Sequence, residues 1–345
     1  MQNQTSLDEL LEQWDERRSR EEDFSIEELC GADRTLLPVL KERVEQLKSM
    51  DWLDEAFSSA DSAELEMSLT ASHESPFDSR QVPSMLGERY KLEQLLAQGG
   101  FAQVWRAFDT TLERSVALKL TTVNSYAEAR RVAQLKHQGI ITVHDVGFTD
   151  GHYYIVFDYV DGITLAERIT ARTLTWRESV RILAHVADSV HFAHTKGFIH
   201  RDIKPSNILL DRTDQPILAD FGIAITECDL RQEVMTSVGT LAYMAPEQLA
   251  IGGVIDVRTD VYGLGIVLYE TLTACHPYSG GTMSELRSQI LNGQPQLPRA
   301  IDPSVPLECE QICLRAMSVS KDARFTSALE LAEALQSLLR SCESH

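Results

Sequence analysis

The stretch His200-Arg201-Asp202-Ile203-Lys204-Pro205-Ser206-Asn207 brings a carboxylate, an ammonium and a carboxamide close together in the chain. After the apolar run Ile208-Leu209-Leu210, and eighteen residues beyond Asp202, stands Asp220-Phe221-Gly222. Upstream, Val116-Ala117-Leu118-Lys119 ends a β-branched, alternating run on a single lysine. Each short motif arises by chance in unrelated chains; their order and spacing together do not. Moving a phosphoryl group off a nucleoside triphosphate asks little covalent chemistry of a protein. It asks for a cover over the phosphates, a cation to grip them, oxygen ligands for a divalent ion, and a carboxylate aimed at the attacking hydroxyl. Candidates for all four occur here in sequence.

Anchored on that eight-residue segment, residues 88–341 resemble the Hanks-type (eukaryotic-like) serine/threonine protein kinases of bacteria. The resemblance implies an α+β, bilobal protein-kinase fold, with an antiparallel N-lobe sheet plus one helix and a mainly helical C-lobe. It implies transfer of the ATP γ-phosphate to protein Ser/Thr hydroxyls. Asp202 then orients the substrate hydroxyl as catalytic base, and Lys204 neutralises the transferring phosphate. A lysine at that place is typical of serine/threonine rather than tyrosine kinases. Asn207 and Asp220 become ligands of Mg²⁺ (or Mn²⁺), and Lys119 grips the α/β-phosphates while pairing with Glu128, on a helix beginning near Tyr126.

The phosphate-covering loop reads Ala97-Gln98-Gly99-Gly100-Phe101-Ala102-Gln103-Val104 against the family's G-x-G-x-x-G-x-V. Ala97 and Ala102 replace the first and third glycines; Gly99 keeps the middle place, where backbone comes nearest the phosphates. Each alanine costs up to about 1–2 kcal/mol if its site demands positive φ, and almost nothing otherwise. The expectation is weaker or stiffer ATP binding with catalysis retained. Further along, Ile155-Val156-Phe157-Asp158-Tyr159-Val160 matches the hinge between lobes. The family pattern has the backbone of Asp158 and Val160 meeting adenine, Phe157 guarding the back pocket, and Val104, Ala117 and Leu209 sandwiching the ring.

Gly239-Thr240-Leu241-Ala242-Tyr243-Met244-Ala245-Pro246-Glu247 resembles the end of an activation segment. Thr240 would line the substrate groove, Glu247 would pair with Arg324, and Asp260 would anchor the catalytic loop from below. Arg201, expected to be buried, would be neutralised by a phosphate on Thr236 or Ser237, with Thr226 a weaker candidate; an unmodified polar loop is the alternative. Two rival readings remain. A pseudokinase-type nucleotide-binding scaffold usually lacks the lysine or one of the aspartates, and this chain keeps all three. A small-molecule kinase lacks the A-P-E segment and the helix expected over Thr282–Leu291.

Composition bounds the rest. The 345 residues carry 52 acidic and 32 basic side chains, a net charge of −20, which disfavours nucleic acid and anionic lipid as partners. The charge is concentrated at the start, where residues 1–88 hold 22 acidic against 8 basic groups. Residues 1–57 read as an acidic helical leader, with capping boxes at Ser6–Glu9 and Ser25–Glu28 and the stripe Leu37, Leu40, Val44, Leu47. That leader looks like the acidic segment preceding many kinases of planctomycete-type bacteria. It either packs on itself or docks on the kinase domain or a partner protein. Residues 58–87 read as a flexible linker, and 88–341 as the kinase domain, with N-lobe 88–157, hinge 158–162 and C-lobe 163–341. The six cysteines form no C-x-x-C pattern, and Cys309 and Cys313 read as buried free thiols. No secretory signal and no apolar run of about 20 residues is found. A cytoplasmic, soluble protein is expected, and whether the chain is a piece of a longer product stays open.

Overall fold

Alternating apolar residues build a six-stranded antiparallel sheet. Its strands are β1 (Met85–Leu86), β2 (Tyr90–Gln98), β3 (Ala102–Asp109), β4 (Arg114–Thr121), β5 (Val143–Thr149) and β6 (His152–Asp158), in the order β1-β2-β3-β4-β6-β5. The computed structural model describes residues 37, 41, 83–98, 102–121, 129–130, 132–221, 241–250, 253–280 and 282–343. The chain divides into two compact units, and every strand and helix named here belongs to the one formed by Ala60–Leu249 and Val254–His345.

Register separates the two faces of the sheet. Val104 lies opposite Lys119, and Ala117 opposite Phe157, so these side chains share one face. Val116, Leu118, Leu120 and Val156 share the other, and each is fully buried. That second face is dry because the sheet curls until early strands meet late ones. The Tyr90 ring of β2 meets Tyr154 of β6 edge-on at 5.7 Å between centroids, and its hydroxyl donates to Asp145 of β5 at 2.9 Å. Arg89 fastens the curl, donating to Asp109 at 2.8 and 3.0 Å and to Asp145 at 3.1 Å. Each fully buried aliphatic side chain here contributes about 1.5–3 kcal/mol. The β5–β6 turn has Asp150 at φ 52° and Gly151 at φ 79°, the paired positive dihedrals of a type I′ hairpin. Residues 85–86, within the stretch expected to be linker, instead form β1. Leu86, 0% exposed inside the curl, fixes them there.

A small second sheet follows, β7 (Gly162–Thr164), β8 (Ile208–Asp211) and β9 (Pro216–Leu218), in sequence order. The remaining mass is helical: α1 (Leu165–Thr170), α2 (Trp176–Thr195), α3 (Pro246–Leu249), α4 (Val257–Thr273), α5 (Met283–Asn292), α6 (Pro298–Ile301), α7 (Leu307–Ala316) and α8 (Ala328–Glu343). Thr164 with Glu167, and Thr175 with Glu178, close capping boxes that start α1 and α2. Helix α4 is buried on all sides, the mark of a core helix rather than a surface one. It begins at Val257, three residues before Asp260, because the Asp256 side chain caps it by accepting from the Arg258 amide. Cys309 and Cys313 are buried free thiols on α7. Among the described residues no helix is long and apolar enough to cross a membrane.

Candidate active site

The loop between α2 and β8 carries the decisive stretch, and α4 holds it from beneath. Asp260, 1% exposed in the first turn of α4, accepts from the backbone amides of His200 and Arg201, both at 2.8 Å. The same carboxylate meets His194 Nε2 at 2.7 Å. Gly263, one helical turn on, permits this approach: a Cβ there would stand 3.1 Å from that of Ile203. The carbonyl of Arg201 accepts from Gln248 Nε2 at 3.1 Å. So pinned, Arg201 takes a φ of 67°, a left-handed value that non-glycine residues adopt at a cost. Its side chain is exposed, not buried, and makes no ion pair with the described residues; pinning the backbone below turns the guanidinium outward.

Asp202 is the centre of the site. Its Oδ2 accepts from Lys204 Nζ at 2.8 Å and from Asn207 Nδ2 at 2.9 Å, while its carbonyl accepts from Nδ2 as well, at 2.9 Å. With Oδ2 doubly engaged, Oδ1 is the oxygen left to meet a substrate hydroxyl. The Asn207 amide nitrogen faces Asp202 in the same way, so its Oδ1 is the atom able to offer a lone pair to a cation. The β8–β9 hairpin then brings Asp220 alongside: the Ala219 amide donates to the Asn207 carbonyl at 2.8 Å, and His200 Nε2 meets the Ala219 carbonyl at 3.1 Å. Phe221, 3% exposed, packs its ring against His200.

Asp220 has a φ of 55° and pairs directly with Lys119 of β4 across the cleft. Burial pushes its carboxyl upward, but the Lys119 ammonium, with Lys204 and His200 beyond it, holds it below the usual carboxylate range. It is therefore an anion at neutral pH. Ala117, Phe157, Val160 and Leu209 belong to one apolar cluster with Ala129 and Ile155, on the face where Val104 also points. The Asp158 amide donates to the Thr142 carbonyl at 3.1 Å, and its side chain meets His144 at 2.5 Å. Ala97 and Ala102 lie in β2 and β3 and neither has a positive φ, so the strain considered for them does not arise. Gln98 is an exposed strand residue paired with Gln103. Gly99, Gly100, Glu128, Thr226, Thr236, Ser237 and Thr240 lie outside the described residues.

Glu247 and Arg324 form a buried pair, both contacts 2.8 Å. One further group was not singled out from the sequence. Glu270 of α4, 8% exposed, accepts the Tyr243 hydroxyl at 2.9 and 3.0 Å and faces a cavity of about 210 Å³ beside Pro205 of the catalytic loop. Burial pushes its carboxyl up to about 7. A carboxylate inside the apolar run Leu268-Tyr269-Glu270-Thr271-Leu272 was the available signal, because buried acids need a reason.

Fold and site define a two-lobed α+β domain of the phosphotransfer class. A protein kinase domain model matches residues 90–339, and the chain belongs to the protein kinase family. It is 36% identical over 267 residues to a probable serine/threonine-protein kinase of Streptomyces coelicolor, covering 72% of this chain and 40% of that protein. It is 34% identical to the serine/threonine-protein kinase PknB of Mycobacterium tuberculosis, with coverage of 72% and 42%. With PrkC of Bacillus subtilis the values are 35% identity and coverage of 70% and 39%. The chain thus spans about 40% of the length of these curated relatives. The crystal structure of the M. tuberculosis PknI kinase domain superposes with a TM-score of 0.59 at 28% identity, covering 74% of this chain and 99% of that one.

Proposed function

We propose that this chain is an active serine/threonine protein kinase that transfers the γ-phosphate of ATP to Ser or Thr hydroxyls of protein substrates. The observation carrying this reading is the Asp202 carboxylate, one oxygen fixed by Lys204 and Asn207 and the other left toward the cleft. Asp202 orients the acceptor hydroxyl and takes its proton. Lys204 offsets charge on the moving phosphoryl group, and Lys119 meets the α/β-phosphates. Asn207 Oδ1 and the anionic Asp220 are hard oxygen donors that suit Mg²⁺, an ion that takes few protein ligands and completes its shell with phosphate and water. When bound, Mg²⁺ neutralises phosphate charge. Val104, Ala117 and Leu209 would hold the adenine ring, with Phe157 behind it and the backbone of Asp158 and Val160 at its edge.

Regulation follows from Arg201. Its exposed guanidinium suits a phosphate added at Thr236 or Ser237, which would order the activation segment by a charge-assisted contact. Peptide mapping after incubation with ATP should find phosphate at one of them. Residues 1–57 act as a leader that packs on itself or docks on the kinase domain or a partner, 58–87 as a linker apart from β1 at 85–86, and the site works in the ATP-supplied cytoplasm.

The deciding experiment is transfer of labelled phosphate from ATP·Mg²⁺ to a generic protein acceptor. Asp202→Asn should lose at least about 10²-fold, the usual scale of a general base, and Lys119→Met should fall with it. Equal incorporation by the native chain and both variants would defeat the reading. ATP binding with no transfer by the native chain would convert it to a nucleotide-binding scaffold.

A further inference from the structure

Three residues, Tyr159 to Asp161, join the two sheets and lie in neither. Backbone fixes their far end: Gly162 opens β7 opposite Asp211 of β8, so closely that a Cβ there would stand 1.8 Å from the Leu210 carbonyl oxygen. At the near end Asp158 closes β6, and its carboxylate meets His144 Nε2 of β5 at 2.5 Å, with Arg114 Nη1 of β4 4.0 Å away. Tyr159 has left the sheet, yet its ring is still tied to it. The Arg106 guanidinium carbon lies 5.0 Å from the ring centre. Arg106 reaches the ring from β3. Register sets it opposite Ala117, and Ala117 opposite Phe157, so it stands level with the last residues before the hinge, on the face that also carries Val104 and Lys119. Its Nε is closed off from solvent and faces Glu93 Oε2 of β2 at 3.5 Å, which holds the guanidinium over the ring.

We infer that Arg106 is a positioning residue for the nucleotide base, acting through the Tyr159 ring; this rests on the kinase reading. Tyr159 stands between Asp158 and Val160, whose backbone groups are the ones assigned to the adenine edge. Fixing its ring therefore fixes both groups before the base arrives. A hinge left free would lose conformational entropy on binding, and a hinge already held in place does not. A cation over an aromatic face at a partly exposed site is equivalent to about two- to fivefold in an equilibrium constant. That sets the size of the effect. Arg106 itself touches the ring and not the nucleotide, so its influence reaches the base and leaves the phosphates alone.

The test reads nucleotide binding, so it does not depend on turnover. Fluorescent N-methylanthraniloyl-ATP is bound to the full chain with Mg²⁺ and displaced by ATP, or by tripolyphosphate, which has a triphosphate chain and no base. Arg106→Met, which keeps the stem and removes the cation, should weaken ATP about two- to fivefold and leave tripolyphosphate unchanged. Tyr159→Leu should do the same, and Arg106→Lys should recover most of the loss. The double variant should bind ATP no more weakly than either single one, because both remove one contact. In steady-state transfer, Arg106→Met should raise KM for ATP more than it lowers kcat, with thermal unfolding checking that each variant folds. Undiminished ATP affinity in Arg106→Met overturns the proposal, as do additive losses in the double variant. So does an equal loss for tripolyphosphate, which would mark Arg106 as a charge felt by the phosphates. Failure of the kinase reading appears separately, as ATP binding without transfer to any acceptor.

Discussion

Glu247–Arg324 and Lys119–Asp220 are ion pairs of the same formal chemistry in opposite surroundings. In the first, the side chains are 7% and 0% exposed; in the second, Lys119 is 17% and Asp220 41% exposed. Arg324 uses all five of its donors: Nη1 and Nη2 on Glu247, then the carbonyls of Ser318, Arg258 and Val319 at 2.7, 2.9 and 3.1 Å. Its guanidinium also lies 4.9 Å over the Tyr262 ring. Nothing in that arrangement is left to react. Asp220 has Lys119 for a partner and stays partly exposed, so neither group is sealed into the interior. A saturated pair holds architecture; an unsaturated one is available for chemistry.

The sharpest way to break that contrast is at the saturated end. Arg324→Met should cost about 3–5 kcal/mol in urea unfolding, because it strands the Glu247 charge in the interior. Pairing it with Glu247→Leu should not restore full stability, since three backbone carbonyls still lose their donor. At the open end, Lys119→Met should remove phosphate transfer yet leave stability within about 1 kcal/mol, as expected of a partly exposed pair. A large stability loss there would erase the distinction.

A third carboxyl sharpens the comparison by lacking a cation. Burial pushes Glu247 and Glu270 upward, and partial desolvation of the more open Asp220 acts in the same direction; Arg324 reverses it in Glu247 and Lys119 in Asp220. Among the described residues Glu270 has Tyr243 and a neutral His276 nearby, and it rises from its ordinary 4.5 to about 7. The folded protein thus binds this proton more tightly than the unfolded chain does. Its contribution is fully present below about pH 4.5 and is lost as pH rises through about 7, on the order of 3 kcal/mol. Unfolding measured from pH 5 to 8 should fall with that slope, and Glu270→Gln should flatten it. The smallest effect belongs to Arg258–Asp322, where Asp322 is 93% exposed: Asp322→Ala should leave the unfolding midpoint unchanged.

Much of this was legible in the chain. The order of Lys119, Asp202, Asn207 and Asp220 carried the fold, and alternation carried the strands of the N-lobe. The hairpin at Asp150-Gly151 is a local feature, because its positive dihedrals depend on two neighbouring residues. The apolar run does not mark the start of α4, because Asp256 lies outside that run and acts through a cap. Residues 85–86 hid in a polar stretch because their anchor, Leu86, is buried only by the curl of a sheet formed far along the chain. The substitutions at Ala97 and Ala102 could not be weighed until their backbone was known to be extended.

By itself the sequence determined the set of reactive groups, their order and the class of reaction they suit, since side-chain chemistry and spacing are local properties. Tertiary structure alone decided that Arg201 points outward, that Glu270 meets Tyr243 and His276, and that one ion pair is sealed while another stays open. Burial and the count of satisfied donors are set by neighbours distant in the chain, and no local pattern encodes them.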